Sequence, residues 1–139
     1  MKFLHSMIRV KNLEASLNFY CNLLGLTEVS RKDVPQGEFT LVFLRADDTG
    51  SEIELTHNWG SEEVYTKGRN FGHLAFEVEN IYETCQNLAD NGVDILRPPR
   101  DGHMAFVCCP DNISIELLQK GESLGIQEPW ASMTNKGSW

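Results

Sequence analysis

Two histidine–glutamate pairs stand out because the same pattern occurs twice in the chain. His5 begins the segment HSMIRVKNL and His73 begins HLAFEVENI, and aligning the two segments brings histidine, valine and asparagine into coincidence. Glu54 and Glu116 each lie in the tripeptide Ile-Glu-Leu. The chain therefore looks like two copies of one unit of about 50 residues, each with its own histidine and glutamate.

These four residues could bind one divalent cation. An unpaired carboxylate among apolar neighbours is costly to bury, so Glu54 and Glu116 each need a cationic partner. An edge strand whose polar face meets water would account for Glu54 alone, but not for a pair that recurs in both copies. Two neutral imidazoles and two carboxylates, without thiolate, suit Ni, Co, Fe, Mn or Zn.

Strand periodicity extends this site toward a substrate. His5 and Arg9 are four residues apart, so they share a strand face and are separated by roughly 13 Å. Glu54 and Asn58 have the same spacing in their own strand. A metal at one end and a positive, hydrogen-bonding patch at the other would suit a long anionic substrate. His57 faces away from Glu54 by the same parity, and we interpret it as a structural or surface residue.

The elements that position these residues have the order β-α-β-β-β in each copy. Asn12 and Asn80 are predicted N-caps, and Gly25 and Gly92 are predicted helix stops. The apolar positions of the first helix are Leu13, Leu17, Tyr20 and Leu24, and those of the second are Ile81, Cys85 and Leu88. Strands are predicted over 3–10, 26–32, 39–46, 51–58, 94–97, 103–109 and 113–119.

Composition excludes several classes of protein. The 139 residues correspond to about one domain, and 41% hydrophobic with 23% charged residues is typical of a globular chain. A net charge of -8 argues against nucleic-acid binding and against a polybasic membrane anchor. The four cysteines lack C-x-x-C spacing. A cytoplasmic protein with reduced thiols is the simplest expectation.

The sequence resembles glyoxalase I of the vicinal oxygen chelate superfamily over residues 1 to about 119. The motifs that carry this resemblance are LHSMIRV at the start, NFY followed by LGL, IELTHNWG, GHLA, and PD leading to IEL. The resemblance implies an α+β fold of two repeated β-α-β-β-β modules with curved sheets. It also implies a single domain over 1–119, with modules at about 1–60 and 70–119, and a C-terminal tail over 120–139.

Site residues follow from the resemblance. The metal ligands of the family fall on His5, Glu54, His73 and Glu116, the four residues that the internal repeat selects. Contacts to the glutamyl carboxylate of glutathione fall on Arg9 and Asn58, with Arg69 as a further arginine, and an apolar pocket falls on Phe71 and Met104. Phe106 is a weaker pocket candidate, because core packing is its commoner role. The family forms a homodimer in which each site combines His5 and Glu54 of one chain with His73 and Glu116 of the other.

The implied activity is isomerisation of the methylglyoxal–glutathione hemithioacetal to S-D-lactoylglutathione, a detoxification reaction. Glu116 is the expected catalytic base and Glu54 its counterpart. Glutathione is the expected co-substrate. The loop between Arg100 and Met104 is short, as in the family members activated by nickel or cobalt, so Ni²⁺ or Co²⁺ is expected in preference to Zn²⁺.

Other members of the superfamily remain alternatives at this stage. They include an acyl-CoA epimerase, an extradiol dioxygenase, an antibiotic thiol transferase and a metal-free ligand-binding protein. The intact set of four ligands, together with Arg9 and Asn58, counts against them. The chain departs from the family pattern at Asn112, where the usual turn has glycine and asparagine must take the left-handed conformation. The tail lies outside the resemblance, and we expect its tryptophans either to dock on a partner chain or to be part of a loose end.

Overall fold

The computed structural model describes residues 1–48 and 50–139, which form two compact units over 1–66 and 67–139. Each unit has one helical segment and four strands in the predicted order β-α-β-β-β. The first contains β1 (His5–Arg9), α1 (Leu13–Leu17) with a π-helical continuation (Asn18–Leu23), β2 (Thr27–Val34), β3 (Phe39–Arg45) and β4 (Glu52–Asn58). The second contains β5 (His73–Val78), α2 (Ile81–Asp90), β6 (Ile95–Arg97), β7 (Met104–Cys108) and β8 (Ser114–Gln119).

Each unit contains a four-stranded mixed sheet, and the two sheets have the same topology. The strand orders are β1-β4-β3-β2 and β5-β8-β7-β6, with one parallel pair in each sheet, β1·β4 and β5·β8. The first strand of each unit is therefore an edge strand that pairs with the last. The predicted α+β fold of two β-α-β-β-β modules is confirmed.

One face of each sheet packs against the helical segment of its own unit and forms the core. In the first unit Val42, Leu44 and Leu55 are fully buried, and in the second Val107 and Leu117 are fully buried. The neighbouring positions along each strand point to the opposite face because side chains alternate in a strand. The histidines and glutamates lie on that opposite face.

Both predicted helix starts are observed. The Asn12 side chain accepts a hydrogen bond from the backbone N–H of Ala15 (3.0 Å), and the Asn80 side chain accepts from Tyr82 and Glu83 (3.1 and 3.2 Å). Each cap satisfies N–H groups that have no partner within the helix. These caps fix where the chain turns after β1 and β5, the strands that carry the two histidines.

The first helix departs from the predicted pattern. From Asn18 it is π-helical, with the N–H of Leu24 donating to the carbonyl of Phe19, five residues earlier (3.0 Å). Each hydrogen-bonded turn spans one residue more than in an α-helix, so a different set of side chains faces the core. The buried residues are consequently Ser16, Phe19 and Tyr20, whereas the predicted stripe of Leu13, Leu17, Tyr20 and Leu24 assumes a regular α-helix.

The tail packs on its own unit, so the expectation of a loose end is wrong. Trp130 is buried, and the backbone N–H of Leu124 donates to the carbonyl of Gly102 (3.0 Å). The Arg100 guanidinium donates to the side-chain oxygen of Asn135 (2.8 Å). These contacts lie far apart along the tail and hold it over the loop between β6 and β7.

Two further features complete the fold. Asn112 adopts a positive φ of 62°, which confirms that asparagine takes the left-handed position in the turn before β8. Gly25 and Gly92 also have positive φ and follow the two helical segments, as predicted. Neither helical segment in the described part of the chain is long and apolar enough to cross a membrane.

Candidate metal centre and substrate face

In the first unit His5 and Glu54 meet on the open face of the sheet. The Nε2 atom of His5 lies 3.0 Å from Oε2 of Glu54, with 39% of the histidine side chain and 14% of the glutamate side chain exposed. The other carboxylate oxygen, Oε1, accepts a hydrogen bond from the Thr56 hydroxyl (3.1 Å). One oxygen of Glu54 is thus oriented by a strand neighbour, and the other faces the imidazole.

The second unit repeats this pair almost unchanged. Nε2 of His73 lies 3.1 Å from Oε2 of Glu116, with exposures of 39% and 16%. The position two residues after the glutamate is Leu118 here, where the first unit has Thr56. Among the described residues His73 is the one side-chain partner of Glu116. Glu116 therefore retains a carboxylate oxygen that no group in the described part of the chain orients.

An aromatic ring lies beside each pair. Phe43 is directly opposite Glu54 in the β3·β4 ladder, and its ring meets the His5 ring edge-on at 5.6 Å. Phe106 is opposite Glu116 in the β7·β8 ladder and meets His73 edge-on at 5.2 Å. The rings restrict the orientation of each imidazole and leave its Nε2 directed at the glutamate.

The donor set fits a divalent cation. Each unit presents one imidazole nitrogen and one carboxylate within hydrogen-bond distance of each other, which is close enough for both to ligate the same ion. Within either unit, the described residues contain no group of three or more histidine, cysteine or acidic side chains around one point. Each unit thus presents two of the four predicted ligands.

Cys108 shares the strand face of Phe106 but does not join the His73–Glu116 pair into a group of three ligand-type side chains. Burial is the largest cause that raises the pKa of its thiol, with Cys109 and Asp94 adding to the effect. The predicted ligand set has nitrogen and oxygen donors only.

The candidate anion-binding residues fall in two places. Arg9 ends β1 and is exposed on the face of His5, and Asn58 ends β4 on the face of Glu54, at the same end of the sheet. Arg69 is exposed in a turn before β5 and belongs to the second unit. His57 points to the opposite face, where its Nδ1 lies 3.3 Å from the carbonyl of Val10.

The three candidates for the apolar pocket are Phe71, Met104 and Phe106, and the expected core packing of Phe106 is not observed. Phe71 is 43% exposed just before β5, and Met104 is half-buried at the start of β7. Phe106 does not belong to the core between sheet and helix, because strand parity puts it with Met104 on the face of Glu116. It is nevertheless only 4% exposed, and two other rings contact it, those of His73 and Trp139. The Trp139 ring stacks on Phe106 at 5.3 Å and 18°.

Sequence reasoning named Phe106 only as a weaker pocket candidate, gave Thr56 no role, and missed Trp139 as a residue of this face. The first two had a detectable signal: Thr56 lies between Glu54 and Asn58 on their face, and Phe106 is the cross-strand partner of Glu116 in the β7·β8 hairpin. Trp139 had none, because nothing local links position 139 to strand β7.

Comparison with known proteins places this geometry in a family. The family model described as the Glyoxalase/Bleomycin resistance protein/Dioxygenase superfamily matches residues 2–117. That superfamily includes several activities, so the match alone does not separate them. A probable lactoylglutathione lyase of Synechocystis is 46% identical over 126 residues, covering 86% of this chain and 95% of that protein. The chain belongs to the glyoxalase I family.

Two further relatives agree with membership of the glyoxalase I family. The lactoylglutathione lyase of Neisseria meningitidis is 46% identical over 127 residues, covering 86% of this chain and 91% of that protein. The solved structure of glyoxalase I from Leishmania major, described as trypanothione-dependent, superposes with a TM-score of 0.81 at 37% identity and 86% coverage of both chains. The predicted family resemblance is confirmed.

Proposed function

We propose that this chain is a lactoylglutathione lyase that isomerises the methylglyoxal–glutathione hemithioacetal to S-D-lactoylglutathione and so detoxifies methylglyoxal. The observation that carries this proposal is the repeated His–Glu pair, 3.0 and 3.1 Å between donor atoms, in a member of the glyoxalase I family. The activity is that of relatives that are 37–46% identical over most of the chain.

The complete site requires both pairs. We propose that the protein is a homodimer and that each site combines His5 and Glu54 of one subunit with His73 and Glu116 of the other. Two observations support this arrangement. Each unit offers two ligands, and strands β1 and β5, which carry the histidines, are both sheet edges with unpaired backbone groups. A two-fold axis would create two equivalent sites.

A divalent cation held by these four ligands supplies Lewis acidity to the substrate oxygens and stabilises the negative charge that develops during proton transfer. The residues of the chain move the proton. Glu116 removes the C1 proton of the hemithioacetal and returns it to C2, while the hydroxyl proton on C1 passes to the oxygen on C2. The C1 carbon becomes the thioester carbonyl, and C2 becomes the new alcohol, so no atoms are gained or lost.

Glu116 is the better placed of the two glutamates to act as the base. Thr56 donates a hydrogen bond to Glu54, which fixes the orientation of that carboxylate. Glu116 has Leu118 at the equivalent position, so one of its oxygens is free to approach a substrate carbon. The difference in hydrogen bonding supports Glu116 as the base and Glu54 as the positioned ligand.

Arg9 and Asn58 bind the other end of the substrate in this proposal. Their place at one end of the first sheet, four residues along the strand from His5 and Glu54, leaves room for an extended tripeptide. An arginine and a carboxamide can hold the glutamyl carboxylate with charge-assisted hydrogen bonds. Arg69 adds a further cation, and Phe71 and Met104 supply apolar surface for the substrate.

The thiol and the metal complete the proposal. We favour glutathione as the thiol, although the Leishmania relative is described as trypanothione-dependent, so both thiols belong in the test. Ni²⁺ or Co²⁺ is favoured over Zn²⁺ because both hold six ligands readily, whereas zinc tends toward four and can lose the positions that the substrate needs. We place the enzyme in the cytoplasm, where glutathione keeps thiols reduced.

A metal-reconstitution assay tests the proposed function. Metal-free protein receives Ni²⁺, Co²⁺, Mn²⁺, Fe²⁺ or Zn²⁺, and thioester formation is followed from methylglyoxal with glutathione or with trypanothione. We expect rapid turnover with glutathione in the nickel and cobalt samples and little with zinc. Turnover with zinc and none with nickel would contradict the metal preference alone. No thioester with any metal and either thiol would contradict the proposed activity.

A further inference from the structure

Trp139 lies on the substrate face of the second unit although its position is far outside the segment that matches the family model, residues 2–117. Its ring is nearly parallel to that of Phe106 (18°), with centroids 5.3 Å apart. Phe106 in turn contacts His73 and is the cross-strand neighbour of Glu116. A histidine, a glutamate and two stacked aromatic rings thus form one continuous surface.

The first unit provides an internal comparison. Phe43 is the equivalent of Phe106, with the same edge-on contact to a histidine and the same place opposite a glutamate. Phe43 is half-exposed, whereas Phe106 is only 4% exposed. The tail extends the apolar surface on the side of Glu116, the glutamate to which the proposed function assigns the role of base.

Contacts of Lys136, three residues before Trp139, anchor this end of the tail. The backbone N–H of Lys136 donates to the carbonyl of Leu96 (2.8 Å), and its ammonium group pairs with Asp94. Trp139 itself remains 42% exposed, so one face of its indole covers Phe106 while the remaining surface is open. An exposed indole that is anchored in this way can contact a bound molecule.

Proton transfer by Glu116 fixes where a substrate substituent must lie. Glu116 has to reach both C1 and C2 of the hemithioacetal, so the group attached to C2 lies within a few ångströms of its carboxylate. Cross-strand neighbours have Cβ atoms about 5 Å apart, so that group also lies close to Phe106 and the ring stacked on it.

We propose that Trp139 is a specificity-determining residue that forms, with Phe106, the apolar wall around the C2 substituent of the substrate. The wall favours a small substituent such as the methyl group of methylglyoxal over a bulky one such as the phenyl group of phenylglyoxal. This inference rests on the proposed function. It assigns to the tail a role in substrate selection as well as in packing.

Substitution of Trp139 tests the inference. The kcat/KM values of the unchanged chain and of Trp139→Ala are measured with the glutathione hemithioacetals of methylglyoxal and phenylglyoxal. We expect the ratio of phenylglyoxal to methylglyoxal activity to rise about tenfold, the usual effect of altering one apolar contact in a pocket. Trp139→Phe keeps an aromatic ring at this position and should restore most of the original ratio.

Ile126→Ala is the matched control, because Ile126 lies in the same tail, is 76% exposed and is not one of the two stacked rings. Its activity ratio should stay within about twofold of the unchanged chain, and thermal melting should show all three variants folded. A ratio in Trp139→Ala that stays within the range of the control overturns the inference. An equal rise of both activities also overturns it, because Trp139 would then block the site rather than select substrates.

A binding measurement separates this inference from the proposed function. The affinities of S-methylglutathione and S-benzylglutathione are measured by calorimetry on the metal-loaded chain and on Trp139→Ala. We expect the ratio of S-methylglutathione affinity to S-benzylglutathione affinity to be lower in Trp139→Ala, by a factor similar to that of the activity ratio. This result does not depend on turnover of either hemithioacetal. Absence of turnover in the unchanged chain contradicts the proposed function, whereas an unchanged affinity ratio contradicts the role of Trp139.

Discussion

The two histidines of the candidate site have a natural control in the same chain. His57 lies in the same strand as Glu54, but its side chain is on the opposite face, near the carbonyl of Val10. A change at His57 therefore removes an imidazole without touching the proposed ligands. This contrast makes the ligand assignment testable by single substitutions.

We expect His5→Ala, Glu54→Gln, His73→Ala and Glu116→Gln each to reduce metal content and turnover by more than about 100-fold. The estimate is a lower bound, since loss of an outer hydrogen-bond partner of a ligand already costs 10–100-fold. Metal analysis and initial rates are the measurements, and His57→Ala should keep both. A variant of one of the four with normal metal content and rate would remove that residue from the site.

Thr56 is a positioning residue in this scheme. Its hydroxyl orients Glu54 through a 3.1 Å hydrogen bond. We expect Thr56→Val to lower metal affinity about 10–100-fold, with a smaller effect on the rate of the fully loaded enzyme. Thr56→Ser retains the hydroxyl and should restore the affinity. Equal affinities for the valine and serine variants would show that the hydroxyl has no such role.

In the proposed function, Arg9 binds the substrate and is not a metal ligand. We expect Arg9→Ala to raise KM for the hemithioacetal about 10–150-fold, corresponding to about 1.5–3 kcal/mol for a hydrogen bond to a charged group. Metal content should not change. Arg31→Ala is the control, because Arg31 is an exposed arginine of β2 that is already paired with Glu28. Similar KM values for the two variants would place the anion contact elsewhere.

At the scale of elements, the Asp101 carboxylate accepts several of the hydrogen bonds that hold the loop before β7. Partial burial by itself would raise the pKa of Asp101, but hydrogen bonds from Arg97 and from the backbone N–H groups of Met104 and His103 lower it to about 2. The same loop carries Gly102, where a Cβ would come within 2.2 Å of the Leu124 carbonyl oxygen. The loop therefore supports both the start of β7 and the tail.

This pKa predicts a pH dependence of stability. Because the folded pKa lies below the ordinary value of 3.8, ionised Asp101 stabilises the fold above about pH 3.8, and this stabilisation disappears as the pH falls toward 2. We expect Asp101→Asn to unfold at lower denaturant concentration than the unchanged chain at pH 6. The difference in stability between the two chains should diminish below pH 3.8. A difference that stays constant from pH 6 to pH 2 would contradict this role of Asp101.

The sequence predicted most elements because their signals are local. Strand alternation, Asn12 and Asn80 as caps, and the two glycine stops all act within a few residues. The π-helical turn after Leu17 was not predictable, since a period of 3.6 was assumed and tertiary packing selected another. The internal repeat supplied the pairing of His5 with Glu54, a long-range contact that local patterns alone do not give.

At the scale of the whole molecule, the proposed sharing of sites between subunits predicts complementation. We expect a His5→Ala chain and a His73→Ala chain each to be inactive alone. In a mixed dimer, one site would contain both substitutions and the other would be intact. Random exchange makes half of the dimers mixed, so about a quarter of the unchanged activity should return.

The measurement is the activity recovered after the two variants are unfolded together and refolded. The control is a mixture of His5→Ala with Glu54→Gln, whose changes lie in the same unit, so that no mixed dimer has an intact site. Recovery in the first mixture but not in the second supports sites shared between subunits. A lack of recovery in both mixtures would indicate sites formed within one chain.

The stack of Trp139 on Phe106 also gives the molecule an intrinsic optical probe. The indole is one ring removed from His73, so an ion bound at that histidine lies within the range over which partly filled d shells quench indole emission. Nickel and cobalt have such shells, whereas zinc is d¹⁰ and does not. The difference in emission between the unchanged chain and Trp139→Ala can therefore distinguish these metals during loading, without any added dye or label.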